Sequence, residues 1–63
     1  MVEGRALGIL KALYQRGQVY ERDLQPDQVE IMQALAGEGL VEKLQQLEAW
    51  QCTGAGELKA RRG

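Results

Sequence analysis

A chain of 63 residues with one cysteine and no histidine must hold its fold together with a single small hydrophobic core. A domain of this size buries only about 60% of the surface that its unfolded chain exposes, so the core cannot be divided between two units. One cysteine cannot form an internal disulfide, and no cluster of ligands suggests a structural metal. We therefore expect one domain over residues 1–63, for which self-association is one further source of stability.

The charge balance gives little electrostatic attraction to nucleic acid as a whole. Hydrophobic residues make up 44% of the chain and charged residues 27%, which is typical of a globular protein, and the formal net charge is −1. Nucleic-acid binding depends on Lys and Arg side chains that neutralise phosphates. Any basic patch on this protein must therefore be local.

The lone Cys52 indicates that no disulfide framework was needed, which fits a reducing compartment. The N-terminus lacks the basic and then apolar pattern of an export signal, so we predict a cytoplasmic protein. Apolar stretches are only a few residues long, far below the roughly 20 residues that cross a bilayer, and we expect no membrane association.

Two helices are predicted from the spacing of apolar residues. The first runs from Gly4 to Arg16, where leucines and a tyrosine recur at steps of three and four residues. The second begins at Pro26, which suits the first helical position, and continues to about Glu38. Residues 18–24 form a connector whose apolar alternation is too brief to decide between a strand and a helical turn. Residues 54–56 are interpreted as a turn.

The segment from Leu40 to Cys52 has two conflicting indications. Leucines at helical spacing and many good helix formers favour a helix, which would give a three-helix bundle. The order of the segments favours a β-hairpin instead: a helix ends at Gly39, two short apolar stretches follow, and Gln45 and Gln46 interrupt them. We predict a hairpin over residues 41–53, and hence a mainly α fold with a small β-hairpin.

The junction Leu35-Ala36-Gly37-Glu38-Gly39-Leu40-Val41-Glu42-Lys43, followed by Trp50-Gln51-Cys52-Thr53 and a glycine, resembles the winged helix-turn-helix superfamily. This resemblance implies a helix that precedes a two-stranded wing, and a small DNA-binding protein that regulates transcription. One departure is clear: too few residues lie between Leu24 and Leu35 for both a full second helix and a full recognition helix. Truncated members of the superfamily also serve as protein-assembly modules, so fold does not fix function.

The residue types present give little support for catalysis. The chain has no His, Ser or Asn, so the usual general base, hydroxyl nucleophile and amide partner are missing. Cys52 has no base to activate it, and we expect it to lie in the core. We predict that the protein is not an enzyme and that it uses no cofactor, metal or small-molecule substrate.

Two binding functions remain, and they use different residues. We predict the first, binding of double-stranded DNA by a regulator of transcription, and keep a protein partner as the alternative. Binding of double-stranded DNA would use amides and cations from the helix, the wing and the C-terminus: Gln28, Gln33, Lys43, Gln45, Gln46, Arg61 and Arg62. Against this, the helix from Pro26 has no Lys or Arg, and its outer face is predicted to carry carboxylates that repel phosphates. The alternative is a protein partner, or a second copy, bound through Asp27, Glu30, Glu38 and Trp50. For Trp50 itself we favour the other role, closure of the core between the wing and the first helix.

Overall fold

The computed structural model describes residues 4–63, which form three helices and a three-stranded antiparallel sheet. The mainly α fold with a small hairpin is therefore confirmed. In chain order the elements are α1 (Gly4–Arg16), β1 (Gln18–Tyr20), a single 3₁₀ turn (Glu21–Asp23), α2 (Pro26–Gly37), β2 (Val41–Leu44), β3 (Ala49–Cys52) and α3 (Gly54–Arg62).

Helix α1 has the bounds that the apolar spacing predicts. Its buried residues Ala6, Leu10 and Leu13 lie three or four positions apart, so they share one face of the helix. Leu10 and Leu13 are among the largest fully buried side chains of the described residues. The helix therefore forms one wall of the core.

The connector contains both of the structures that the sequence left open. Gln18–Tyr20 is strand β1, which buries Val19, and Glu21–Asp23 is the 3₁₀ turn. The strand pairs with β3, and Val19 lies opposite Trp50. Three residues of strand give no periodic signal, and the pairing partner lies about thirty residues away in the chain, which explains why local sequence could not decide.

Helix α2 begins and ends as the sequence predicts. Pro26 occupies its first turn, and the Oε1 atom of Gln28 accepts a hydrogen bond from the backbone N–H of Gln25 at 2.9 Å. At the other end Gly39 adopts a φ of 78°, and the N–H of Leu40 donates to the carbonyl of Leu35 at 3.0 Å. This is a Schellman motif, which needs a left-handed residue and explains the glycine at the junction.

The hairpin predicted over residues 41–53 is confirmed as β2 and β3, in the register Val41↔Cys52 to Leu44↔Ala49. The sheet order is β1-β3-β2, so β3 has a hydrogen-bonded neighbour on both sides. This pairing, together with burial of Val41 and Trp50, overrides the helical propensity of the segment. The helical alternative for residues 40–52 is therefore wrong.

The turn predicted at residues 54–56 is wrong, because residues 54–62 form α3. The Oγ1 atom of Thr53 accepts a hydrogen bond from the N–H of Gly56 at 3.1 Å and so caps the helix. Gly56 and Ala60 are its buried residues. They lie four positions apart, so the packed stripe of α3 consists of small residues rather than large apolar ones.

The core lies where α1, α2 and the sheet meet. Its fully buried large side chains come from two helices: Leu10, Leu13, Met32 and Leu35. Among residues 4–63 no helix has the length and apolar character that a membrane span requires. The order of helices and strands is compatible with a winged-helix arrangement, with β2 and β3 in the position of the wing.

Candidate functional site

The surface of α2 that faces away from the core is acidic. Met32 and Leu35 are buried, whereas Asp27, Glu30 and Glu38 are exposed. No Lys or Arg occurs between Asp23 and Lys43, so no cation on α2 itself offsets these carboxylates. We call Asp27, Glu30, Gln33 and Glu38 the acidic face of α2.

One cation reaches this face from another element. The guanidinium of Arg5, in the first turn of α1, forms an ion pair with the carboxylate of Asp27 at the start of α2. Both side chains are more than half exposed, at 61% and 51%, and exposed pairs of this kind contribute at most about 1 kcal/mol. The pair therefore lowers the net charge at one end of the acidic face without holding the helix rigidly.

The two glutamines that the sequence offered as base-reading amides of α2 lie in different environments. Gln33 is exposed at one edge of the acidic face. Gln28 is half-buried, and its Oε1 atom is already engaged by the N–H of Gln25 at the start of the helix. Gln33 is therefore free to contact a partner, whereas Gln28 serves first as a cap.

Lys43 and Trp50 meet at Glu21, which belongs to the 3₁₀ turn. The Nζ of Lys43 lies 3.2 Å from Oε1 of Glu21, and the indole N–H of Trp50 donates to the same oxygen at 3.2 Å. Lys43 is opposite Trp50 in the hairpin register, and its Nζ lies 6.0 Å from the centroid of the indole ring. We call these three residues the Glu21 clasp.

Trp50 belongs to the core, which agrees with core closure and corrects the alternative of an exposed anchor for a partner. Trp50 is only 4% exposed, because it packs into the core beside Val19 and satisfies its indole N–H on Glu21. Lys43 is half-buried and already paired, so a phosphate contact would require it to leave Glu21. Sequence reasoning missed Glu21, because its partners come from the hairpin and no local pattern joins them.

The tip of the hairpin is a four-residue turn that projects beyond the sheet. Gln45 and Gln46 are exposed there, as the sequence predicts. The turn also exposes Leu47, at 51%, beside Glu48, which adopts a left-handed φ of 50°. The tip therefore presents an apolar side chain and a carboxylate as well as the two amides.

Arg61 and Arg62 lie in the last turn of α3, with Lys59 two residues before Arg61. All three are exposed, and within residues 4–63 the ion pairs are those of Arg5 and of Lys43. Helix α3 packs mainly on α1. These cations therefore belong to a helix that packs on α1, and not to α2 or to the hairpin tip.

Cys52 is half-buried and packs against the core. Its thiol faces the backbone carbonyl of Leu10 at 3.9 Å. Burial raises the pKa of the Cys52 thiol, and the negative charge of Glu57 raises it further. A raised pKa disfavours the thiolate, which is the reactive form. Among the described residues, no three or more acidic, cysteine or histidine side chains gather as a metal site.

Comparison of the chain with protein-family models, with curated proteins and with solved structures finds no match in any of the three.

Proposed function

We propose that this protein is a small winged-helix domain that binds a protein partner through the acidic face of α2. The chain order of the elements and the strand order β1-β3-β2 support the winged-helix assignment. The 3₁₀ turn Glu21–Asp23 stands where the second helix of such a domain would lie. Many functions use this kind of scaffold, so the fold alone does not identify the ligand, and the proposal is argued from the surface of α2.

The observation that carries the proposal is the charge of the helix that precedes the hairpin. A winged helix that reads DNA places this helix in the major groove, where its outer face meets phosphates and base edges. Here that face carries Asp27, Glu30 and Glu38, with only Gln33 as an exposed amide. Carboxylates repel phosphates and attract Lys and Arg, so the complementary surface is a basic patch on a protein.

Duplex DNA is a second candidate, which would make the protein a regulator of transcription. It is favoured by the exposed cations of α3, namely Lys59, Arg61 and Arg62, and by Gln45 and Gln46 at the hairpin tip. Such binding would be weak and sensitive to salt, because each phosphate contact contributes about −0.9 to the slope of log affinity against log salt. In either case we place the protein in the cytoplasm and assign it no catalytic activity.

Photo-crosslinking from the acidic face tests the first candidate. A crosslinking amino acid at Gln33 should form a protein adduct in lysate of the source cells, and the same amino acid at Gln15, exposed on α1, should not. Changing Glu30 to Lys should remove the adduct, because it reverses the charge that attracts the partner. An adduct that forms equally from both positions, or that survives Glu30→Lys, would contradict the proposal.

A titration against labelled duplex DNA tests the second candidate at low and moderate salt. We expect the wild-type protein not to bind at moderate salt. The double variant Asp27→Asn with Glu30→Gln should bind more tightly, because it removes two repelling charges and releases Arg5 from its ion pair. Wild-type binding that is lost in the double variant Arg61→Ala with Arg62→Ala would favour DNA as the ligand.

A further inference from the structure

We draw no further inference here: the strongest candidate, the apolar groove that Leu7, Leu40 and Leu58 line between α1 and α3, carries none, because nothing in the structure shows what covers it.

Discussion

The closest backbone approach involving a glycine lies where α3 meets the turn after α2. A Cβ atom on Gly56 would lie 2.8 Å from the carbonyl carbon of Leu40 and closer still to its oxygen, and backbone cannot move aside as a side chain can. We predict that Gly56→Ala lowers the free energy of unfolding by about 3 kcal/mol, the range of severe overpacking. Gly54→Ala is the matched control, because a Cβ there meets nothing within 4 Å.

Urea denaturation measures both variants. Gly54→Ala should be neutral or raise the free energy of unfolding by up to about 1 kcal/mol, since alanine restricts the unfolded chain more than glycine does. Equal effects of the two substitutions would mean that α3 does not pack closely on Leu40.

Glu48 is a second residue whose backbone conformation lowers the free energy of unfolding. It is the non-glycine residue with a positive φ among those described, at 50°, where a side chain other than Asn or Asp is disfavoured. We predict that Glu48→Asn raises the free energy of unfolding by about 0.5–1 kcal/mol in dilute protein. Gln46→Asn, in the same turn but without a positive φ, should leave the stability unchanged. A gain shared by both variants would point to a general effect of asparagine in the turn.

Among the elements, α3 is joined to the turn after α2 by hydrogen bonds of Thr53. Its Oγ1 atom accepts the N–H of Gly56 and donates to the carbonyl of Gly39 at 2.6 Å, while its own N–H donates to the carbonyl of Leu40 at 3.0 Å. We predict that Thr53→Val destabilises the protein by about 1–2 kcal/mol, through loss of the cap and of the hydroxyl hydrogen bond. Thr53→Ser keeps the hydroxyl and should cost about half as much or less.

Backbone chemical shifts of residues 54–62 report the same change locally. Thr53→Val should reduce the helical shifts of this segment before the rest of the protein unfolds, whereas Thr53→Ser should preserve them. Helical shifts that are unchanged in Thr53→Val would show that α3 forms without its cap.

The elements differ in how far their sequences predict them. α1 was predictable because its leucines repeat at helical steps, and the end of α2 because Gly39 supports a Schellman motif. α3 was not, since Gly56 and Ala60 pack through close backbone approach rather than through large apolar side chains. β1 is too short for a periodic signal, and only its pairing with β3 defines it.

At the scale of the whole molecule, the charges are separated between elements. The formal net charge is only −1, yet carboxylates predominate on α2 while exposed cations gather near the end of α3. The acidic face of α2 was predictable, because helical geometry alone assigns residues to faces. The engagement of Lys43 and the burial of Trp50 were not, since both depend on Glu21, which reaches them only in the folded chain.

The stability of the whole protein should decline at alkaline pH in a way that depends on Cys52. Burial, and then Glu57, raise the pKa of this thiol in the folded protein. The unfolded chain therefore loses the thiol proton at a lower pH than the folded protein does. Above the thiol's ordinary pKa, ionisation lowers the free energy of the unfolded state but not yet that of the folded state. Stability therefore falls as the pH rises, until the folded thiol also ionises.

Comparison with Cys52→Ala isolates this effect, because every other titrating group cancels in the difference. The free energy of unfolding of the wild type minus that of Cys52→Ala should be constant in acid and at neutral pH, and should fall as the pH rises past the ordinary pKa of a thiol, about 8.5. Urea denaturation at a series of pH values under reducing conditions measures it. A difference that is flat or that rises over the alkaline range would mean that Cys52 is as well solvated in the folded protein as in the unfolded chain.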